Sequence, residues 1–265
     1  MSKSYIMIGA SPWYLIHQTT IQFSFFCAQW EEYYTHVLPH ACGKWIGVTE
    51  VNYGIAMLAL INSFIDREAF WKQNFISMLP PFIKSYVPVV DNGYYDDFIQ
   101  GLELRHAGII GWVLMLVVLI LLSMIRVYNH LQSMPQFLSA LTKFISPTLL
   151  VISTLTLPSY YIQHHTRAIS VAVGLGFSFI INKMIVYSMA QMSFASLQIH
   201  VLFPWLAFCI WCYVDENLTH KGGMICLRIM CIWYAYVLLS WCSGTIDAIC
   251  GKLDINCFTI KKKKE

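Results

Sequence analysis

Residues 107–125 read AGIIGWVLMLVVLILLSMI and carry no charge; Arg105 and His106 frame the stretch on one side and Arg126 on the other. A helix rises about 1.5 Å per residue and a bilayer's hydrocarbon core is about 30 Å thick, so ~20 apolar residues make one crossing. A helix that is apolar all round over this length has no place on a water-facing surface. The stretch is a membrane span, and the rest of the chain is read against it. Six further stretches match less fully: 12–29, 51–65, 144–162, 168–189, 199–214 and 224–246. The second is short unless extended by a turn. The stretch 144–162, fourth in chain order, contains Pro147 and Pro158, and proline removes a backbone donor, so a kink is expected there rather than two helices. The expected fold is all-α, a polytopic membrane protein with about seven transmembrane helices, forming a single transmembrane domain over residues 1–265.

Composition agrees. The chain is 57% hydrophobic and 12% charged, against roughly 25% charged in soluble domains. So few charges cannot cover a water-facing surface of this size, which excludes a soluble globular enzyme, a disordered tail and an open basic face for nucleic acid. The net charge of +3 comes from the lysines at 261–264, and the remainder is slightly acidic. Of nine cysteines, Cys209, Cys212, Cys226, Cys231 and Cys242 lie inside apolar runs, where free Cys acts as a small hydrophobe. The Cys209–Cys212 spacing has neither a second such pair nor a spaced histidine, so a zinc or redox role is not expected.

The last four residues are Lys262, Lys263, Lys264 and Glu265. Lys262 and Lys263, fourth and third from the end, resemble the dilysine retrieval signal of endoplasmic-reticulum membrane proteins, which is read in the cytosol. A solvated basic tail at an anionic leaflet is the other reading. Both put the C-terminus in the cytosol, and seven spans then put the N-terminus in the lumen. Positive charge favours this orientation mainly through the tail. The sequon Asn217-Leu218-Thr219 falls on the luminal side, too close to helix ends for a glycan to be expected. The connection 66–105, with Tyr86, Tyr94, Tyr95 and Phe98 among prolines and acids, is expected to lie at the interface, where aromatic rings are favoured.

Charges near spans are expensive and are functional candidates. Gln29-Trp30-Glu31-Glu32-Tyr33 closes the first span and Gly47-Val48-Thr49-Glu50 opens the second. A hairpin of two spans brings Glu31, Glu32 and Glu50 to one membrane face. Clustered carboxylates there could hold a divalent ion or serve as a general base. The plainer alternative is anchoring by Trp30 and Tyr33 beside two solvated acids.

The run Cys27-Ala-Gln-Trp30-Glu-Glu-Tyr33-Tyr-Thr35, followed by Val48-Thr-Glu50-Val, resembles the eukaryotic choline/ethanolamine phosphotransferases, members of the CDP-alcohol phosphotransferase family. Asn182-Lys183-Met-Ile-Val186 with Met189 is similar to that family's N-K-L-V-V-A-H-M helix. Residues 247–261 are similar to its closing amphipathic segment. The resemblance runs from about Pro12 to Lys261, in the family's order. It implies transfer of phosphoethanolamine or phosphocholine from a CDP-alcohol to diacylglycerol, with Mg2+ or Mn2+, in the endoplasmic reticulum or Golgi.

The chain departs from that family in one respect. It contains no Asp-Gly pair and no Ala-Arg pair, so the catalytic signature D-G-x2-A-R-x8-G-x3-D-x3-D is absent. It resembles the C-terminal part of a ten-helix fold, beginning where the fourth helix begins. The metal ligands and the arginine that meets the pyrophosphate are missing with the signature, so this chain alone is expected to be inactive or a fragment. By resemblance Glu50 assists deprotonation of the diacylglycerol hydroxyl, and Glu31 and Glu32 form a polar wall near the nucleotide. His36 and Gly47 stand where the family has Gly and an acid, which changes the local loop. Lys183 reaches either toward phosphate or toward the interface.

Other candidates read as structural. Arg228 is an interfacial anchor, His164-His165 has no carboxylate neighbour, Asp91, Asp96 and Asp97 match no calcium loop, and Gly174 and Gly176 fit close helix packing. Two further functions stand beside the transferase: a non-catalytic paralogue that dimerises, as a homodimer or as a heterodimer with a full-length relative, and a membrane transporter. Little beyond Asn182 and Lys183 is polar at mid-membrane to serve a transporter.

Overall fold

The computed structural model describes residues 8–9, 11–38, 41–42, 46–78, 80, 101–214 and 220–255; of 41–42, 46–52, 55 and 220–221 it describes the backbone alone. The chain forms two compact units, Met1–Leu141 with Ile162–Thr166, and Thr142–Tyr161 with Arg167–Glu265.

In the first unit, α1 (Pro12–Thr35) opens with Ser11 in extended conformation and a proline in its first turn, where the missing N–H has no intrahelical partner to lose. It stops at His36, left-handed at φ 56°, whose N–H donates to Glu32 O at 2.8 Å. A ribbon of two two-residue strands, β1 (Ala41–Cys42) and β2 (Ile46–Gly47), leads into α2 (Val48–Phe64). Two short helices follow, α3 (Arg67–Trp71) and α4 (Phe75–Met78), then α5 (Leu104–Leu131) and α6 (Met134–Leu141). Asp66 Oδ1 accepts the N–H groups of Glu68 and Ala69, capping α3.

Helices α1 and α5 run parallel. The Trp13 ring stacks on His106 at 4.8 Å where both helices begin, and Arg126 binds Glu31 where both approach their ends. Parallel neighbours require the chain to return between them. Helix α2 has 17 residues, about 25 Å of rise, close to a full crossing. Its far end is tied to the start of α5: Trp71 Nε1 donates to Asn62 Oδ1 at 2.8 Å, and Leu104 N donates to Gln73 O at 2.9 Å.

Exposure follows the solvent expected from composition. Leu15, Phe26 and Trp30 of α1 and Ile109 and Val127 of α5 are buried, whereas Leu114, Val118, Leu121 and Ile125 form an exposed apolar stripe on α5. Spaced four, three and four apart, they share one helix face. A soluble helix would carry polar residues there; in a bilayer the stripe meets acyl chains.

The second unit holds a 3-10 turn (Thr142–Phe144), α7 (Ile145–Leu155), α8 (Ser159–Met189) apart from its stretch Ile162–Thr166, α9 (Ile199–Val214) and α10 (His220–Leu253). Trp205 Nε1 donates to Ser153 Oγ at 2.9 Å, joining α9 to α7, and Tyr234 Oη donates to Val201 O at 2.6 Å, joining α10 to α9. A Cβ added at Gly176 would stand 3.0 Å from Val201, so the close packing expected of that glycine is present.

Six of the seven expected stretches fall on one helix each. The fourth does not. Thr156 ends α7, and Pro158, at φ −55° and ψ 141°, is the residue from which α8 starts. The expected kink is therefore a break between two helices, and Tyr160 to Ile162 belong to the next one. Pro147 lies in the first turn of α7, where a missing N–H costs nothing, and it causes no kink. Among the described residues four helical stretches are long and apolar enough to cross a membrane: Leu104–Leu131, Met134–Leu155, Ser159–Met189 and Gly222–Leu253; Ile199–Val214 is apolar but shorter. The protein is an all-α polytopic membrane protein.

Candidate functional site

The strongest electrostatic feature of the first unit joins α1 to α5. Glu31 is 4% exposed. Arg126 Nε donates to its Oε1 at 2.5 Å and Nη2 to its Oε2 at 2.7 Å, a two-pronged grip on the carboxylate. Arg126 Nη2 also reaches Ser123 Oγ at 3.3 Å, and the buried Cys27 thiol lies beside Ser123. Glu31 stands one turn before the C-terminus of α1, where the helix dipole disfavours an anion. Arg126, near the C-terminus of α5, is on the favourable side of the same effect and offsets both.

One residue away, Trp30 is fully buried and its Nε1 donates to Ala140 O at 3.0 Å, fixing α6 against α1. The reading of Trp30 as an interfacial anchor is thus corrected: its ring packs inside the unit. Glu32 is half-buried, and its carbonyl accepts the N–H that closes α1.

Glu50 occupies the first turn of α2, where an acid suits the positive end of the dipole. Its side chain lies outside the described residues. Lys183 belongs to the second unit, on α8, with its Nζ donating to Gln198 Oε1 at 3.1 Å. Lys262, Lys263, the sequon and the three aspartates at 91, 96 and 97 lie outside the described residues. So do residues 81–100 of the aromatic connection.

Among the described residues no three His, Cys, Asp or Glu side chains gather as a metal site, and both Glu31 oxygens are taken by Arg126. Those residues do not fit a resident Mg2+ or Mn2+.

Over 260 residues the chain is 25% identical to the "Uncharacterized CDP-alcohol phosphatidyltransferase class-I family protein 3" of Dictyostelium discoideum, covering 90% of this chain and 61% of the relative. It thus spans about three-fifths of that protein's length. No family model and no solved structure matches. The similarity is to a protein named for the CDP-alcohol phosphatidyltransferase class-I family, and it carries no preference for choline or ethanolamine.

Arg126 is the site residue that sequence reasoning passed over, counted there only as a flank of the clearest span. A signal was available. Glu31 and Arg126 end two spans assigned to the same membrane face, and opposite charges at matching span ends are candidates for pairing.

Proposed function

We propose that this chain is the C-terminal part of a CDP-alcohol phosphotransferase of phospholipid synthesis, in the endoplasmic reticulum or Golgi with its C-terminus in the cytosol. The complete protein would transfer phosphoethanolamine or phosphocholine from the CDP-alcohol to diacylglycerol. The observation that carries this reading is the collinear similarity over 90% of the chain to a protein of that family name.

In this reading Glu50 takes the proton of the diacylglycerol hydroxyl as its oxygen attacks phosphorus and CMP leaves. Glu32, and Glu31 through its hold on Arg126, set the shape of the neighbouring wall. Diacylglycerol would enter sideways from the bilayer and the nucleotide from the cytosol. The metal and the pyrophosphate-binding arginine belong to the signature that residues 1–265 lack.

That lack also favours a second reading, a non-catalytic member that pairs with a second copy or with a full-length relative. The deciding experiment reads the transcript upstream of Met1 for an in-frame Asp-Gly-x2-Ala-Arg run. It then assays membranes holding either product with CDP-ethanolamine or CDP-choline, diacylglycerol and Mg2+ or Mn2+. The run-carrying product should form phospholipid, residues 1–265 alone should not, and Glu50→Gln should lower the rate about 10²-fold or more. Turnover by residues 1–265 that survives Glu50→Gln, or none from the run-carrying product, overturns the transferase reading. Absence of the run selects the non-catalytic reading.

A further inference from the structure

A second polar cluster lies in the second unit, where α7 begins, α8 ends and α9 begins. At its centre Ser146, fully buried, donates from Oγ to Ser196 O at 2.7 Å and accepts from Gln198 N at 2.9 Å. These two bonds hold segment 196–198 against the first turn of α7. Two lysines from different elements reach the same segment. Lys143 Nζ lies 3.4 Å from Ser196 Oγ, which is also 2.7 Å from Thr142 Oγ1. Lys183 Nζ donates to Gln198 Oε1, and Gln198, 2% exposed, is itself fixed by its Nε2 on Ala195 O at 2.7 Å. The rings of Phe179 and Tyr187, one helical turn either side, lie 5.6 and 5.5 Å from the ammonium.

Every one of these partners is neutral. Among the described residues neither lysine takes part in an ion pair, and both are half-buried. A half-buried ammonium without a counter-charge is costly, and flanking rings recover only part of that cost. Bringing two such groups to one three-residue segment adds their mutual repulsion. An anion held between them removes both penalties. The depth is suitable too: α8 kinks at His165, and its part 166–189 rises about 36 Å against about 30 Å of hydrocarbon. Lys183, six residues from the end of α8, therefore reaches the headgroup layer. Helix α9 starts one residue after Gln198, so its positive dipole end lies at the same place.

We propose that Lys143, Lys183, Thr142 and Ser196 form a binding site for a phosphate group at the membrane surface. Two ammonium groups and two hydroxyls supply the charge and donors that a phosphomonoester of charge about −2 requires. The phosphate belongs either to a lipid headgroup such as phosphatidic acid or to a water-soluble phosphate. The site rests on this geometry and stands whether or not the transferase reading does.

The test uses the full chain in phosphatidylcholine nanodiscs. Three probes are compared by the rise in unfolding temperature: phosphatidic acid added to the nanodisc, inorganic phosphate in solution, and CMP in solution. At least one should stabilise the protein, with apparent affinity about tenfold weaker in Lys143→Gln and in Lys183→Gln and unchanged in the exposed control Lys252→Gln. A response to phosphatidic acid alone assigns a lipid headgroup; a response to phosphate or CMP assigns a soluble ligand. A second measurement needs no variant: the effective probe should protect Lys143 and Lys183, but not Lys252, from amine acylation read by mass spectrometry. No response to any probe, or a response that neither glutamine variant weakens and that protects neither lysine, overturns the proposal.

Discussion

Glu31 and Arg126, 95 residues apart in the chain, hold each other through two hydrogen bonds of 2.5 and 2.7 Å at matching ends of two parallel helices. The pair fixes the register of α1 on α5, while the Trp13–His106 stack fixes the opposite end.

Breaking the pair from one side should be costly. Arg126→Gln leaves the buried carboxylate uncompensated, at about 2–4 kcal/mol once the partial exposure of Arg126 is allowed for. Glu31→Gln/Arg126→Gln should recover part of that loss. Thermal unfolding in detergent of the four proteins of the cycle gives the coupling, expected at about 1–3 kcal/mol. A coupling near zero would show that the pair does not set the helix register.

Gly223 lies against Tyr161. A Cβ there would stand 2.2 Å from the Tyr161 ring, which is itself buried. Gly223→Ala should destabilise by about 1–3 kcal/mol through overpacking. Tyr161→Phe added to it gives no relief, because the clash is with a ring carbon, whereas Tyr161→Val does. Unfolding temperatures of the three combinations check this.

Trp30→Phe keeps most of the buried volume but removes the N–H that Ala140 O accepts. The expected loss is about 1–3 kcal/mol, with faster amide exchange in α6 and little change in α9.

The parallel arrangement of α1 and α5 predicts sidedness. In sealed vesicles an impermeant maleimide should label Val37→Cys and Gln132→Cys from one side and Lys72→Cys from the other, on a background without reactive native cysteines. All three labelled from the same side would mean that α2 does not cross.

Much of this architecture was legible because hydrophobic length is read directly from sequence: residues 107–125 admit one interpretation, and the structure extends that helix to Leu104–Leu131, about one turn at its start and nearly two at its end. The break at Pro158 was not legible from hydropathy, since residues 144–162 are apolar on both sides of it. The local signal was the restriction that proline places on the residue before it, which ends a helix as readily as it bends one. The acidic residues near the first span were visible as candidates. What they do was not, because a carboxylate's role depends on which distant cation folds onto it, and Arg126 is brought to Glu31 only by tertiary packing. The cluster around Ser146 was hidden for the same reason: serines at 146 and 196 carry no distinguishing pattern until two helix ends meet.

The long separation between Glu31 and Arg126 has a consequence for biosynthesis. At about 5–20 residues per second of synthesis, the arginine emerges about 5–20 s after the glutamate. For that interval the nascent α1 carries two acids, Glu31 and Glu32, and no lysine or arginine of its own. Until Arg126 arrives, the cost of placing the Glu31 carboxylate near the bilayer is met by water or by protonation rather than by its eventual partner.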